Sequence, residues 1–181
     1  ELLALLHRER VPATFFVVGK MVDRYPHLVQ DIDRDGHELA NHTYNHYRLS
    51  KLDNDHVMTE LNDTRAAIRR VTGKETWLYR PPGGDFTRRT LRLAAHSGYR
   101  MVLWNVLTRD VDGASQAFIR KRILNGAKDG GIILMHSGIP STINVLPEVI
   151  QTLRAEGYDF VTVSQLLGAP RVPSTDPQTP P

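Results

Sequence analysis

The stretch GGIILMH, residues 130–136, joins two glycines to an apolar run that ends at a histidine. Glycine punctuation followed by a short apolar run predicts a buried strand. A second run of this kind, ATFFVVG at residues 13–19, predicts another strand near the start of the chain. Amphipathic stretches alternate with these runs, which is typical of βα units around a mainly parallel sheet. The sequence therefore predicts an α/β protein.

Further elements are predicted outward from these two strands. Strands are expected over 36–43, 75–80, 100–106 and 158–163, and helices over 1–10, 21–35, 53–73, 86–98, 115–127 and 142–156. Asp53 has the residue type and position of an N-cap, and Gly73 those of a helix stop. Residues 81–84, Pro-Pro-Gly-Gly, are expected to form a loop. Residues 1–167 are expected to form one domain and residues 168–181 a proline-rich tail or linker.

Composition excludes several classes of protein. The chain has 181 residues, 40% hydrophobic and 24% charged, which is ordinary for a protein with a buried core. It has no cysteine and therefore no disulfide framework. No apolar stretch approaches the roughly 18 residues of a membrane span. The net charge of +3 comes from scattered basic residues, so we expect no nucleic-acid partner, and no protein partner is indicated.

Reactive side chains follow several of the predicted strands. They are His42, His46, Arg80, Asp110 and His136. In a parallel βα barrel the carboxyl ends of the strands share one face, and that face carries the active site. The order of these side chains along the chain therefore indicates an enzyme.

Four of these side chains, the two neighbouring histidines, Arg80 and His136, carry chemistry of their own. His42 and His46 can point two ring nitrogens at one cation, although two close histidines are also compatible with an incidental pair. The pair lacks the glutamate of a His-Glu-x-x-His helix, which argues against a zinc protease of that type. Arg80 at the end of an apolar strand requires an anionic partner, and Gly83 lets a backbone N–H approach a ligand. His136 is compatible with either a core histidine or a functional one.

These motifs, in this order, resemble the polysaccharide deacetylase family (NodB homology domain, carbohydrate esterase family 4). His42-Thr43-Tyr44-Asn45-His46 matches the family's His-Ser/Thr-x-x-His motif, and Arg80-Pro81-Pro82 its Arg-x-Pro motif. Trp104 to Val111 resembles a Trp-containing strand with Asp110 in the acidic place, and Leu134-Met135-His136 matches Leu-x-His. The resemblance extends from residue 1 to about Leu167.

The resemblance implies a distorted (β/α) barrel of the NodB type and metal-dependent removal of acetyl groups from a glycan. His42, His46 and an upstream aspartate would hold a divalent ion, usually Zn²⁺, with Co²⁺ or Ni²⁺ as alternatives. The ion would polarise the acetyl carbonyl, and a second upstream aspartate would be the base. The Gly83 N–H would help to hold the oxyanion, and Thr43 would brace the His46 loop.

The remaining roles are also implied by the resemblance. His136 would protonate the leaving amine, and Asp110 would hydrogen-bond His136 and keep it charged. Arg80 would orient the base, and Leu134 would line the pocket for the acetyl methyl group. The full expected set is His136, Arg80 and Asp110 as catalytic residues, His42 and His46 as metal ligands, Gly83, Leu134 and Pro82 as substrate-binding residues, and Thr43 and Trp104 in support.

The chain departs from the family pattern in three places. The Thr-Phe-Asp-Asp-Gly segment that supplies the aspartate pair is absent, and with it the first strand; we expect both to lie before Glu1. Gly83-Gly84 stand where many relatives have tyrosine, which would widen the groove. Leu107 and Val111 replace a common Asp and the usual Trp, which would weaken one wall of the groove.

Alternative functions remain at this point. The first hypothesis is deacetylation of N-acetylated sugars in peptidoglycan or a chitin-like chain, outside the cytoplasm because the substrate class lies there. An O-acetyl xylan esterase is the alternative within the same chemistry. A non-catalytic glycan-binding module that has lost the base, and a purely structural βα domain with fortuitous histidines, are the alternatives outside it.

Overall fold

The structure, a computed structural model, describes residues 1–168. The chain divides into two compact units. Unit A comprises Thr14–Val102, and unit B comprises Glu1–Ala13 together with Leu103–Leu167. The predicted tail, apart from Gly168, lies outside the described residues, and the predicted domain bounds stay a prediction.

Unit A is a parallel sheet connected by helices. Its strands pair in the order β1 (Thr14–Val17), β2 (Glu38–Asn41), β3 (Leu78–Tyr79), β4 (Arg100–Met101). Its helices are α2 (Gly19–Arg24), α3 (Pro26–Arg34), α4 (Asn54–Thr72) and α5 (Arg88–His96). All three strand pairs are parallel, so His42 after β2 and Arg80 after β3 follow carboxyl ends at one edge of the sheet.

Unit B holds a smaller parallel pair of strands and the remaining helices. Its elements are α1 (Leu2–Glu9), β5 (Val106–Leu107), α6 (Gln116–Gly126), β6 (Ile133–Leu134), α7 (Pro140–Ala155) and α8 (Val163–Leu166). Val106 pairs with Ile133 and Leu107 with Leu134. Apolar faces of α6 and α7 pack together through Ile119, Ile123, Val145 and Val149. Asp110 follows β5 and His136 follows β6, again at the carboxyl ends of parallel strands.

Helix ends agree with the predicted capping residues. The Asp53 carboxylate accepts a hydrogen bond from the His56 N–H at 2.9 Å, and Gly73 ends α4 with a φ of 72°. Ser115 caps α6 in the same way. Helix α1 begins without a side-chain cap.

Three predicted elements are wrong, each for a local reason. The single helix over 21–35 is two helices, because Pro26 restricts Tyr25 to a non-helical conformation and begins α3. The strand over 100–106 is divided between β4 and β5, which belong to different units, and Trp104 lies in the irregular segment between them. Residues 158–163 form no strand in the described structure, because Tyr158 and Phe160 pack against the α6–α7 core instead of pairing.

Smaller differences concern strand length and one loop. Predicted strands over 75–80 and 130–136 are paired over only two residues each. The predicted loop at 81–84 contains a short 3₁₀ turn over Pro82–Gly84. Within residues 1–168, no helix is both long and apolar enough to cross a membrane.

Candidate functional site

The predicted residues fall into two groups, one in each unit. His42, Thr43, His46, Arg80, Pro82 and Gly83 lie in unit A, and Trp104, Asp110, Leu134 and His136 lie in unit B.

His42 and His46 lie together after β2. The ring centroids are 4.9 Å apart with the planes at 70°. The Nδ1 of His42 lies 2.8 Å from the Arg80 carbonyl oxygen. A carbonyl only accepts, so Nδ1 carries the proton and the neutral ring presents its lone pair at Nε2. A hydrogen bond from the ring nitrogen that does not face the metal commonly fixes the tautomer of a metal-binding histidine.

The loop between the two histidines is held in an unusual conformation by its neighbours. Thr43 and His46 have φ values of 64° and 65°, a left-handed conformation that costs about 1–2 kcal/mol for a residue other than glycine. The carbonyls of Thr43 and Tyr44 accept hydrogen bonds from the first two amides of α2, at Gly19 (3.0 Å) and Lys20 (3.1 Å). These hydrogen bonds to the N-terminus of α2 offset the strain of the loop.

Asn45 is anchored by a buried carboxylate. Glu60 on α4 is 5% exposed, and its two oxygens accept from the Asn45 backbone N–H (2.8 Å) and side-chain amide (2.7 Å). Thr43 was expected to brace this loop, and the bonds that do so involve its backbone. Its N–H donates to Asn41 Oδ1, while its buried hydroxyl has no hydrogen-bond partner among the described residues. Both histidines thus project from a loop fixed on two sides.

Gly19 controls how closely α2 approaches this loop. A Cβ at Gly19 would overlap the Tyr44 ring and lie 2.8 Å from Thr64 Oγ1 and 3.1 Å from Thr64 Cα. Gly19→Ala is expected to lower the free energy of unfolding by about 1–3 kcal/mol, the usual range for overpacking. Urea denaturation measures the change, with exposed Met21→Ala in the same helix as the control. Equal stability of Gly19→Ala and the wild type would show that the loop does not depend on this close contact.

Arg80 is buried beside the histidine loop. It is 7% exposed, its guanidinium carbon lies 4.0 Å from the centroid of the Phe16 ring, and its Nε donates to the Val102 carbonyl at 3.3 Å. Burial lowers the pKa of Arg80 to about 10, so the side chain is still charged at neutral pH. Its own carbonyl accepts from His42, so Arg80 also orients that ring through its backbone.

The turn after Arg80 is open to a ligand. Pro82 is buried, and Gly83 has a φ of 65°, in the left-handed region that favours glycine. A Cβ at Gly83 would meet no atom within 4 Å, so the backbone here is approachable. The oxyanion role of the Gly83 N–H and the substrate contact of Pro82 stay predictions.

Asp110 and His136 form a tightly bonded pair in unit B. The Asp110 carboxylate accepts from His136 Nδ1 at 2.8 Å and from the His136 backbone N–H at 2.7 Å, so the predicted side-chain hydrogen bond is present. Burial alone raises the pKa of Asp110, but hydrogen bonds from His136 and Thr142 outweigh it and hold the pKa below its ordinary value. With Nδ1 committed to Asp110, proton exchange with a ligand is left to Nε2 of His136, whose side chain is 41% exposed.

The other two predicted residues of unit B take simpler positions. Leu134 is half-buried in β6, and its carbonyl accepts from the Thr108 hydroxyl at 2.9 Å. Trp104 is half-buried and belongs to no strand, contrary to the expectation that it lies in one. The substrate contact of Leu134 and the supporting role of Trp104 stay predictions.

The histidine pair fits a metal ion as part of a ligand set. Two imidazole nitrogens suit Zn²⁺, Co²⁺ and Ni²⁺. In the part of the chain that the structure describes, no group of three or more His, Cys, Asp or Glu side chains is placed to hold a cation. The role of His42 and His46 as metal ligands stays a prediction.

Sequence reasoning missed three residues that support these groups: Gly19, Glu60 and Thr142. Glu60 and Thr142 are polar side chains on the buried faces of helices, between core residues such as Val57 and Leu61, or beside Ile143. A polar residue at a core-facing helical position is the signal that would have found both.

Comparison with known proteins identifies the family. The family model described as polysaccharide deacetylase matches residues 1–102 of the chain. The chain belongs to the polysaccharide deacetylase family, carbohydrate esterase family 4. It is 34% identical over 172 residues to a peptidoglycan-N-acetylglucosamine deacetylase of Bacillus cereus, which covers 92% of this chain and 80% of the relative. It spans 54 to 64% of the length of three further relatives.

Solved structures confirm the predicted fold class. The Bc1960 peptidoglycan N-acetylglucosamine deacetylase matches with a TM-score of 0.91 at 29% identity, over 94% of this chain and 81% of that one. BA3943 of Bacillus anthracis, described as a CE4 family pseudoenzyme, matches with a TM-score of 0.87 at 27% identity, over 92% and 59%. The chain is thus similar in fold both to a named deacetylase and to a pseudoenzyme.

Proposed function

We propose that this chain removes acetyl groups by hydrolysis from N-acetylated sugars of a cell-wall glycan, outside the cytoplasm and with a divalent metal. The observation that carries the proposal is the Asp110–His136 pair. A buried carboxylate that fixes Nδ1 of a half-exposed histidine equips Nε2 for proton transfer, and a protein that only binds glycan has no use for it. The named activity of the Bacillus cereus relative supports the substrate class.

The reaction divides into tasks that the two groups of residues suit. Hydrolysis of the amide breaks the C–N bond, adds the oxygen of water to the acetyl carbon and gives acetate and a free amino sugar. His136 would deliver the proton from Nε2 to the departing nitrogen, since an amine anion is too basic to leave alone. Asp110 would stabilise the charged ring and hold its orientation.

The residues of unit A suit the activation of the carbonyl. His42 and His46 would hold the cation, Zn²⁺ in the first place and Co²⁺ or Ni²⁺ as alternatives, together with a ligand from outside residues 1–168. When bound, the cation supplies Lewis-acid polarisation of the acetyl carbonyl. The Gly83 N–H would donate to the developing oxyanion. Arg80 would orient the base, which the family resemblance assigns to an aspartate outside residues 1–168. Pro82 and Leu134 would contact the sugar or its acetyl methyl group, with Trp104 in support.

A second candidate function is a glycan-binding module without catalysis. It is favoured by the absence of a three-ligand cluster from residues 1–168 and by the similarity to a pseudoenzyme. An O-acetyl esterase acting on xylan is the alternative within the same chemistry, because an alkoxide leaves more readily than an amine anion and relies less on His136.

Acetate release tests the proposal. The full chain is incubated with N-acetylated chito-oligosaccharides and, in parallel, with O-acetylated xylan, first with Zn²⁺ and then after chelation. We expect release from the N-acetylated substrate that chelation abolishes and added Zn²⁺ restores. Zinc binding without release from either substrate would favour the binding module, and release from xylan alone would favour the esterase.

A further inference from the structure

The Asp110 carboxylate is saturated with hydrogen bonds. Oδ1 accepts from His136 Nδ1 (2.8 Å) and from the Val111 N–H (3.1 Å), and Oδ2 accepts from the His136 N–H (2.7 Å) and from the Thr142 hydroxyl (2.9 Å). The Asp110 side chain is fully buried. Two of the four donors belong to His136 and one is the next backbone amide, so among the described residues Thr142 on α7 supplies the one remaining donor.

Thr142 reaches Asp110 from the first turn of α7. Pro140 begins this helix, and Thr142 is 2% exposed and lies 32 residues from Asp110 along the chain. The hydroxyl therefore ties α7 to the end of β5. A buried hydroxyl without a partner is costly, so the Thr142 side chain is held in the orientation that donates to Asp110.

Other helical threonines of the chain use their hydroxyls differently. Thr59, Thr64, Thr72 and Thr152 each donate to the backbone carbonyl four residues earlier, at 2.8–2.9 Å. That local bond is the usual one for threonine in a helix. Thr142 is the third residue of α7, so the carbonyl four residues earlier lies before the helix, and the hydroxyl donates instead to a carboxylate on a different element.

We propose that Thr142 is a positioning residue for His136, acting through Asp110: it fixes the plane of the carboxylate that holds the imidazole. The expected effect on catalysis rests on the proposed function, whereas the effect on the orientation of the His136 ring does not. Without the hydroxyl, Oδ2 keeps one donor, and the carboxylate gains rotational freedom that it passes on to the His136 ring. Hydrogen bonds to a charged group are among the stronger ones, so the loss is measurable.

The test compares Thr142→Val with Thr142→Ser in the full chain. Thr142→Val keeps the shape and removes the hydroxyl, and Thr142→Ser keeps the hydroxyl. Thr108→Val is the matched control, because Thr108 is equally buried in unit B and donates to the Leu134 carbonyl, not to Asp110. The first readout is solvent exchange of the His136 Nδ1 proton by NMR, and the second is kcat and KM for N-acetylated chito-oligosaccharide.

We expect about 10-fold faster exchange of the Nδ1 proton in Thr142→Val, a kcat lowered about 10-fold with KM unchanged, and recovery of both in Thr142→Ser. Thr108→Val should leave the exchange rate at the wild-type value. Equal exchange in Thr142→Val and wild type, or an equal effect of Thr108→Val, would overturn the proposal. If Thr142→Val does not fold, Thr142→Ala takes its place with the same expectations.

The two readouts separate this inference from the proposed function. The exchange rate reports on the Asp110–His136 pair whether or not the chain hydrolyses any substrate. Altered exchange with no activity in the wild type would uphold the positioning role and contradict the deacetylase. Activity of the wild type with unaltered exchange in Thr142→Val would support the deacetylase and contradict the positioning role.

Discussion

Replacing His136 by alanine is expected to lower kcat for N-acetylated chito-oligosaccharide by about 10²–10⁴-fold, the range that general acid catalysis contributes. The nitrogen of the breaking amide bond needs a proton before it leaves, and Nε2 of His136 is the atom left for that transfer once Nδ1 bonds Asp110. KM should change little, because the proton is transferred in the transition state. Initial rates of acetate release over a range of substrate concentrations give both constants.

An activated ester distinguishes proton delivery from a general loss of structure. The leaving group of 4-nitrophenyl acetate departs as an anion without a proton, so His136→Ala should keep most of the activity towards it. His7→Ala removes an exposed histidine from the same unit and serves as the matched control. If His136→Ala reduced amide and ester hydrolysis by the same factor, His136 would not be the acid for the leaving group.

The parts of the fold that were predicted correctly are those coded locally. Helix α4 begins after Asp53 and ends at Gly73, because a carboxylate cap and a left-handed glycine act on their immediate neighbours. The strand predictions failed where the apolar pattern had another cause. Tyr158 and Phe160 alternate with polar residues as strand residues do, but they pack against α6 and α7 from an irregular segment.

The site residues also divide into those that neighbouring sequence positions could indicate and those that depend on the tertiary structure. His42 and His46 lie in one loop; their spacing allowed either a shared site or an incidental pair, and the family resemblance favoured the shared site. Asp110 and His136 are 26 residues apart. Their positions after predicted strands placed them on one face, and the family resemblance predicted the hydrogen bond that the structure shows at 2.8 Å. The sequence could mark Thr142 as a polar residue at a core-facing helical position, but not its role, which depends on the carboxylate that this helix turn faces.

Replacing His42 and His46 together by alanine is expected to weaken Zn²⁺ binding by more than about 100-fold and to reduce acetate release to background. Loss of a residue that merely orients a ligand already weakens metal sites by about 10–100-fold, and loss of the ligands themselves exceeds that. Calorimetric titration of the full chain with Zn²⁺ measures affinity independently of activity. His27→Ala, an exposed histidine in the same unit, is the control.

The strain in the histidine loop predicts a ranking of variants by their Zn²⁺ affinity. Gly19→Ala leaves both imidazoles in the chain but presses α2 against Tyr44, so it should weaken Zn²⁺ binding less than the double alanine variant and more than Met21→Ala. That order would show that affinity depends on how the loop is held as well as on its donors. Unchanged Zn²⁺ affinity in the double variant would place the cation elsewhere in the protein and remove His42 and His46 from the proposed mechanism.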